Sequence, residues 1–318
     1  MIQTVGFIGL GKMGMPMAKN LLNSGFGVFG TDVNETAVSE FVSIGGKTGN
    51  MLEWLNKVDS IILMLPSSKI VNQVIDEVIE HYTPEHQSNE NPLIIIDMSS
   101  SYPAETRKNL LKLGGSNIQF MDAPVSGGVK KAISGTLTIM AGGSADLFSK
   151  CKRLLEAMGS NIFHVGPIGS GHLIKAINNY LSATHLLASC EAVQLLQSFE
   201  VDPATAINVF NQSTGRSGST EYKFPSFILT ESYDSGFNLE LLRKDLEMAT
   251  RLFSDSEAAT KLPQFIFEKF DEASRSLAQN ADHTEIYQYV TSYLFQRGIS
   301  NEKDSKAISN CNDTSVSI

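Results

Sequence analysis

The chain lacks several features that would have marked out a function class. Its three cysteines, Cys151, Cys190 and Cys311, are few, odd in number and far apart, which excludes a disulfide framework and a zinc knuckle. The six histidines form no HExxH and no helical pair, so no metal centre is expected. The net charge of −9 comes from acids spread along the chain, without the basic stripe that nucleic acids require. No apolar run exceeds strand length, Ser60–Pro66 being typical, so no membrane span is expected. The start carries neither a signal peptide nor an Arg-rich presequence, and no internal repeat is visible. These absences leave a soluble protein of a reducing compartment, expected to be cytoplasmic. A mitochondrial matrix location would require a leader missing from this chain. The 318 residues, 42% of them hydrophobic, suffice for about two domains.

The first half alternates strand and helix. Thr4–Ile8 is a β-prone run, followed at once by Gly9-Leu10-Gly11-Lys12-Met13-Gly14 and a helical stretch that Gly25 stops. A second strand, Phe26–Thr31, ends in Asp32. Strand, GxGxxG turn, helix, strand and acid in this order form a dinucleotide site. Gly9 allows the tight turn, Gly11 lets backbone approach a pyrophosphate, and Gly14 lets helix and strand pack closely. Asp32 is placed to accept the ribose hydroxyls and repel a 2′-phosphate, and Val33-Asn34 supplies no Arg to hold one. NAD is therefore expected rather than NADP.

Alternation continues with a helix over Glu35–Ile44, a strand over Ser60–Leu65, a helix over Ile70–Tyr82 and a strand over Leu93–Met98. Thr83–Asn91 reads as a polar loop. Ligands of doubly wound sheets lie at the carboxyl ends of strands. Leu65-Pro66-Ser67-Ser68 and the stretch around Ser100 therefore offer places for a dinucleotide or are ordinary turns. Ser126-Gly127-Gly128 is likewise either a plain turn or a cradle for a carboxylate. Lys130 and Lys131 beside it read as a solvated surface.

From Gly169 the pattern changes to helices alone. Gly169–Phe199 has no proline or glycine after Gly171 and is apolar on nearly every face, which predicts a helix packed on several sides. Lys175 and Asn179 share one face near its start. A lysine there either snorkels or, when desolvated, serves proton transfer. Helices are also expected over Pro203–Gln212, Glu221–Leu229, Leu239–Leu252, Leu262–Ala278 and Glu285–Phe295. The fold class is α/β, a Rossmann-type doubly wound parallel sheet with a C-terminal all-α domain. Its expected parts are a dinucleotide-binding domain over 1–166, a helical substrate and dimerisation domain over 167–298, and a disordered tail over 299–318.

Four blocks in register resemble the β-hydroxyacid dehydrogenases, the group of 3-hydroxyisobutyrate dehydrogenase and tartronate semialdehyde reductase. They are Gly6–Leu21, Asp122–Gly128 (DAPVSGG), Gly169–Asn179 (GSGHLIKAINN) and Arg243–Ala249 (RKDLEMA). The resemblance implies Lys175 as general acid/base and Asn179 as a substrate-holding amide. It implies Ser126, Gly127 and Gly128 as the carboxylate grip, Ser100 near the nicotinamide, and Lys244 closing over the cofactor. It further implies hydride exchange between NAD and a short 3-hydroxy acid without metal, and the Tyr-x-x-x-Lys pair of another dehydrogenase design is absent. A homodimer or homotetramer is expected. One departure concerns the segment Ser213–Pro225, which has Gly218 where 3-hydroxyisobutyrate dehydrogenases carry a tryptophan. The resemblance implies a substrate of the 3-hydroxyisobutyrate type, whereas the missing ring favours the alternative of a polyhydroxylated or sulfonated acid of the threonate or glycerate type, with Ser219, Thr220 and Lys223 in reach of it. A non-catalytic cofactor-binding module is the reading that an intact Lys175 and Asn179 disfavour.

Overall fold

Residues 2–83, 92–256 and 260–292 are described in a computed structural model of the chain. Two compact units emerge, Met1–Asn178 and Asn179–Ile318. The division falls inside the long helix. The first turns of that helix are hydrogen-bonded to a strand end of the first unit, so they belong with the sheet.

The first unit runs β1 (Thr4–Ile8), α1 (Gly14–Asn23), β2 (Gly27–Thr31), α2 (Glu35–Ser43), α3 (Met51–Trp54), β3 (Ser60–Leu63), α4 (Ser68–His81), β4 (Leu93–Asp97) and α5 (Pro103–Lys112). It continues through β5 (Ile118–Asp122), β6 (Val125–Ser126), α6 (Gly128–Ile133), β7 (Leu137–Gly142), α7 (Ala145–Glu156) and β8 (Gly159–Gly166). The sheet order among the described residues is β2-β1-β3-β4-β5-β7-β6, with β8 on β7. The five strands from β2 to β5 are parallel, as the βαβ crossovers require. β7 runs antiparallel to β5 and β6 and parallel to β8, so the parallel sheet is extended by a mixed edge.

Strand period explains why the central strands read as unbroken apolar runs. Ile62, Ile94 and Ile96 enter a core with Met17, Leu21, Phe41 and Leu154. Ile61, Leu63, Leu93 and Ile95 enter the opposite core with Trp54, Val71 and Ile75. Both faces are covered, so the middle positions of these strands are apolar on either side. Two helices, α3 and α5, carry no strong periodic signal and were not expected. The proline at the first turn of α5 and the Asn50 cap on α3 start them.

The second unit begins within α8 (Ser170–Ser198), which is about 43 Å long by helical rise. It continues through α9 (Pro203–Asn211), a wide π-type segment at Ser219–Ile228, α10 (Leu239–Ser254), α11 (Leu262–Ser276) and a 3-10 turn at His283–Glu285 that leads into a helix at 286–292. The π segment contains Pro225, which cannot donate, and Leu229 N–H reaches back to the Phe224 carbonyl at 2.9 Å. Leu186, Leu187, Cys190 and Val193 of α8 pack on Phe224, Leu242, Leu246, Ile266 and Phe270. α8 packs on several sides, and among the described residues part of its apolar surface stays uncovered. Leu181 and Leu195 stay exposed, at 47% and 59%, with Phe199 just beyond at 73%. The end of the expected helix at 293–295, the loop over 84–91 and the expected tail lie outside the described residues.

Candidate functional site

Local backbone geometry builds the nucleotide end of the first unit. Gly9 has φ +102°, and its N–H bonds the Thr31 carbonyl at 2.9 Å, turning the chain between β1 and α1. A side chain at Gly14 would collide with the Gly9 carbonyl, whereas one at Gly11 would meet nothing within 4 Å. Gly14 is thus closed for packing and Gly11 open, the two properties a pyrophosphate loop needs. Leu10 is buried, Met13 half-buried and Lys12 exposed at the rim. Asp32 stands one residue past β2. Its Oδ2 accepts from the Leu10 N–H at 2.6 Å and its Oδ1 from the Asn34 N–H at 2.8 Å. The carboxylate is therefore fixed against the glycine loop, with lone pairs left for ribose hydroxyls. These residues fit a dinucleotide.

At the next strand ends, Leu65 is half-buried, and its N–H bonds Ser99 Oγ at 2.9 Å. Pro66 is exposed. Ser100 is half-buried between two serines whose hydroxyls are buried and engaged. Ser101 Oγ donates to Asp97 Oδ2 at 2.7 Å, and the Ser99 N–H donates to Asp97 Oδ1 at 3.0 Å.

Behind Ser100 lies a buried polar network whose role was not recognised from sequence. Asp122, at the end of β5, accepts the Gly169 N–H at 2.7 Å and the His172 N–H at 2.8 Å, so it caps the start of α8 from a distance. The His172 ring is buried, with Nδ1 2.7 Å from Thr106 Oγ1 and Nε2 3.1 Å from the Ser99 carbonyl oxygen. A carbonyl only accepts, so Nε2 carries a proton. Asp97 and Asp122 each lie 3.7 Å from the ring. Burial pushes the Asp122 carboxyl above the usual aspartate range, against the opposing pull of His172. The signal was available: each aspartate ends an apolar strand run, where an acid has no water to face.

Lys175 is half-buried, one turn beyond His172 on α8. Ser126 is half-buried, and Gly127 and Gly128 are exposed with φ +134° and +67°, a turn closed to most side-chain-bearing residues. All of these belong to the first unit, together with the glycine loop, Asp32 and Ser100.

The second unit holds Asn179 and Lys244. Asn179 is buried, and its Nδ2 donates to Asp245 Oδ2 at 2.6 Å. Lys244 Nζ sits 3.2 Å from Asp245 Oδ1, off the hydrogen-bonding direction. Asp245, also missed from sequence, is thus the buried anion that holds the Asn179 amide. Ser219, Thr220 and Lys223, expected within reach of substrate, lie on the π-type segment. Ser219 and Thr220 are buried, and Thr220 Oγ1 is taken up by the Ser217 backbone, accepting its N–H at 2.9 Å and donating to its carbonyl at 3.0 Å. Lys223 Nζ donates to Ser182 Oγ at 2.9 Å, and burial pushes its pKa down to about 8.

Comparison with known proteins agrees with this geometry. Residues 4–166 match the model of the NAD binding domain of 6-phosphogluconate dehydrogenase. Residues 169–290 match that of the NAD-binding domain of NADP-dependent 3-hydroxyisobutyrate dehydrogenase. The chain is 36% identical over 260 residues to the 2-(hydroxymethyl)glutarate dehydrogenase of Eubacterium barkeri, covering 81% of this chain and 84% of that one. It is 34% identical over 297 residues to the mitochondrial 3-hydroxyisobutyrate dehydrogenase of Mus musculus, covering 90% and 86%. Among solved structures, the 3-hydroxyisobutyrate dehydrogenase of Mycobacterium tuberculosis with L-serine superposes with a TM-score of 0.83 at 26% identity, covering 91% of this chain and 99% of that one.

Proposed function

We propose, on the premise that this chain belongs to the β-hydroxyacid dehydrogenase family, that it oxidises a short 3-hydroxy acid to its semialdehyde with Lys175 as the proton-transfer group. The reaction class is that of an NAD-dependent oxidoreductase acting on CH–OH. The substrate is a small molecule, and among the described residues no helix is long and apolar enough to cross a membrane.

The observation that carries the assignment of roles is the bond from His172 to the Ser99 carbonyl. It ties the helical turn ahead of Lys175 to the loop of Ser100, so two residues expected at the reacting atoms are held by one rigid network. In this reading Ser126, Gly127 and Gly128 grip the substrate carboxylate, and Asn179, oriented by Asp245, holds the substrate. Gly9–Gly14, Asp32, Leu65, Pro66, Ser100 and Lys244 bind the dinucleotide. NAD, when bound, supplies the hydride acceptor. Lys175, neutral, takes the hydroxyl proton as the carbinol carbon gives up its hydrogen with the bonding pair; in reverse its ammonium returns the proton. The reference substrate is 3-hydroxyisobutyrate.

Apolar residues left exposed on and beside α8, Leu181, Leu195 and Phe199, support a homodimer or homotetramer. A single monomeric mass by light scattering at micromolar concentration would remove that assembly. Free, buried Cys151 and Cys190 support a reducing, cytoplasmic compartment.

The test is Lys175→Ala against wild type with a panel of 3-hydroxy acids and both cofactors. Turnover is expected to fall at least about 10²-fold with NAD affinity little changed. Wild-type kcat/KM is expected to rise with pH for oxidation, to fall for reduction, and to favour NAD over NADP by at least about tenfold. A variant with near wild-type turnover and unchanged pH profiles would take Lys175 out of the chemistry.

A further inference from the structure

We propose that Lys131 completes a second anion site beside the Ser126-Gly127-Gly128 turn, so that the preferred substrates are 3-hydroxy acids carrying a second anionic group, dicarboxylates first. The proposal rests on the reading of that turn as the grip for the first carboxylate.

Lys131 follows Gly127 by four residues, and α6 begins immediately after Gly127. Helical side chains lean toward the N-terminus, which brings residue i+4 back over residue i. The side chain follows that rule closely. A Cβ placed on Gly127 would come within 2.6 Å of Lys131 Cδ and 2.8 Å of its Cβ. The lysine stem therefore lies on the backbone of the turn, and the absence of a side chain at Gly127 makes room for it.

The charge on that stem is unspent. Lys131 is exposed, and its ammonium makes no hydrogen bond or ion pair with any described residue. From Ala123 to Ala145 the only charged residues are Lys130 and Lys131, in a chain whose net charge is −9. The turn and the helix after it thus carry positive charge alone in this stretch of an acidic chain, between Asp122 and Asp146. One carboxylate is served by the turn itself, which leaves the adjacent ammonium without a counter-ion when the substrate is a monoacid. A second carboxylate on the same molecule supplies it. An ammonium on a flexible stem accepts anions over a range of positions, so the site selects charge more than exact shape.

The experiment compares kcat/KM for 2-(hydroxymethyl)succinate and its one-methylene-longer homologue, each against the amide of its distal carboxylate, with 3-hydroxyisobutyrate as the monoacid reference. Wild type, Lys131→Gln and a control, Lys152→Gln on α7, are assayed with NAD. At least one diacid is expected to exceed its amide by about tenfold or more in wild type, chiefly through KM, with the advantage shrinking as salt is raised. Lys131→Gln should bring the ratio to within about twofold of one, and Lys152→Gln should leave it in place. A wild-type ratio near one, or a ratio that survives Lys131→Gln, overturns the proposal. So does an equal loss on diacid, amide and monoacid alike, which would assign Lys131 to the first carboxylate. Absence of NAD reduction with every one of these acids would instead overturn the functional reading beneath it.

Discussion

Replacing Asp122 by Asn keeps the shape of the side chain and removes one acceptor and one charge. Asp122 Oδ1 and Oδ2 each take one backbone N–H at the start of α8, from Gly169 at 2.7 Å and from His172 at 2.8 Å. Asparagine has a single oxygen, so one of these buried amides must face an NH₂ group, donor against donor. The loss of a charge-assisted hydrogen bond is worth about 1.5–3 kcal/mol, and the orphaned amide costs about 1–3 kcal/mol more. Against this stands relief of the burial that pushes the Asp122 carboxyl upward. The net expectation is a loss of about 2–4 kcal/mol, confined to the first unit. The sole tryptophan of the chain, Trp54, is buried in that unit, so its fluorescence reports the transition directly. With a urea slope of about 2 kcal/mol per molar, the midpoint should drop by about 1–2 M. Turnover should fall as well, because the turn ahead of Lys175 loses its anchor. A tryptophan midpoint within about 0.2 M of wild type would refute the claim that this carboxylate fixes α8.

Two further outcomes test the second unit. Asp245→Asn should lower kcat/KM about tenfold, the loss of charge assistance in the bond that orients Asn179, while leaving the pH profile of oxidation in place; unchanged kinetics would detach Asp245 from the site. Lys223 has its pKa lowered by burial from 10.5 to about 8, with Cys190 and Asp282 pulling it back. Its folded pKa lies below the unfolded one, so the cost of the buried charge is fully present below about pH 8 and is relieved as pH rises toward 10.5. Circular dichroism melts between pH 7.5 and 9.5 should therefore show Lys223→Met more stable than wild type at the lower pH by a margin of up to about 3 kcal/mol that narrows as pH rises. A margin independent of pH would contradict the burial of that ammonium.

Much of this protein was set by local rules acting on sequence alone. Gly9, Gly11 and Gly14 are dictated by a turn, an approach and a packing contact, all within a few residues of each other, and such short-range constraints leave a spacing that can be read directly. The unbroken apolar runs at Ser60–Leu63 and Leu93–Asp97 likewise announce strands covered on both faces, because period-two alternation sends Ile61 and Ile62 into different cores. Lys175 and Asn179 were assignable to one helical face by their separation of four. Tertiary structure decided what depends on partners distant in sequence. Asp122 and His172 are 50 residues apart, and Asn179 and Asp245 66, so no spacing rule ties the acids to the groups they hold. Ser219, Thr220 and Lys223 are expected in reach of substrate because Gly218 stands where 3-hydroxyisobutyrate dehydrogenases carry a tryptophan. Only the structure shows that the wide helical turns around Pro225 bury Ser219 and Thr220 and lead Lys223 to Ser182. Which faces of α8 are covered was illegible for a related reason. Apolar composition shows that a face seeks cover, and only the placement of neighbouring helices shows that Leu181 and Leu195 find none among the described residues.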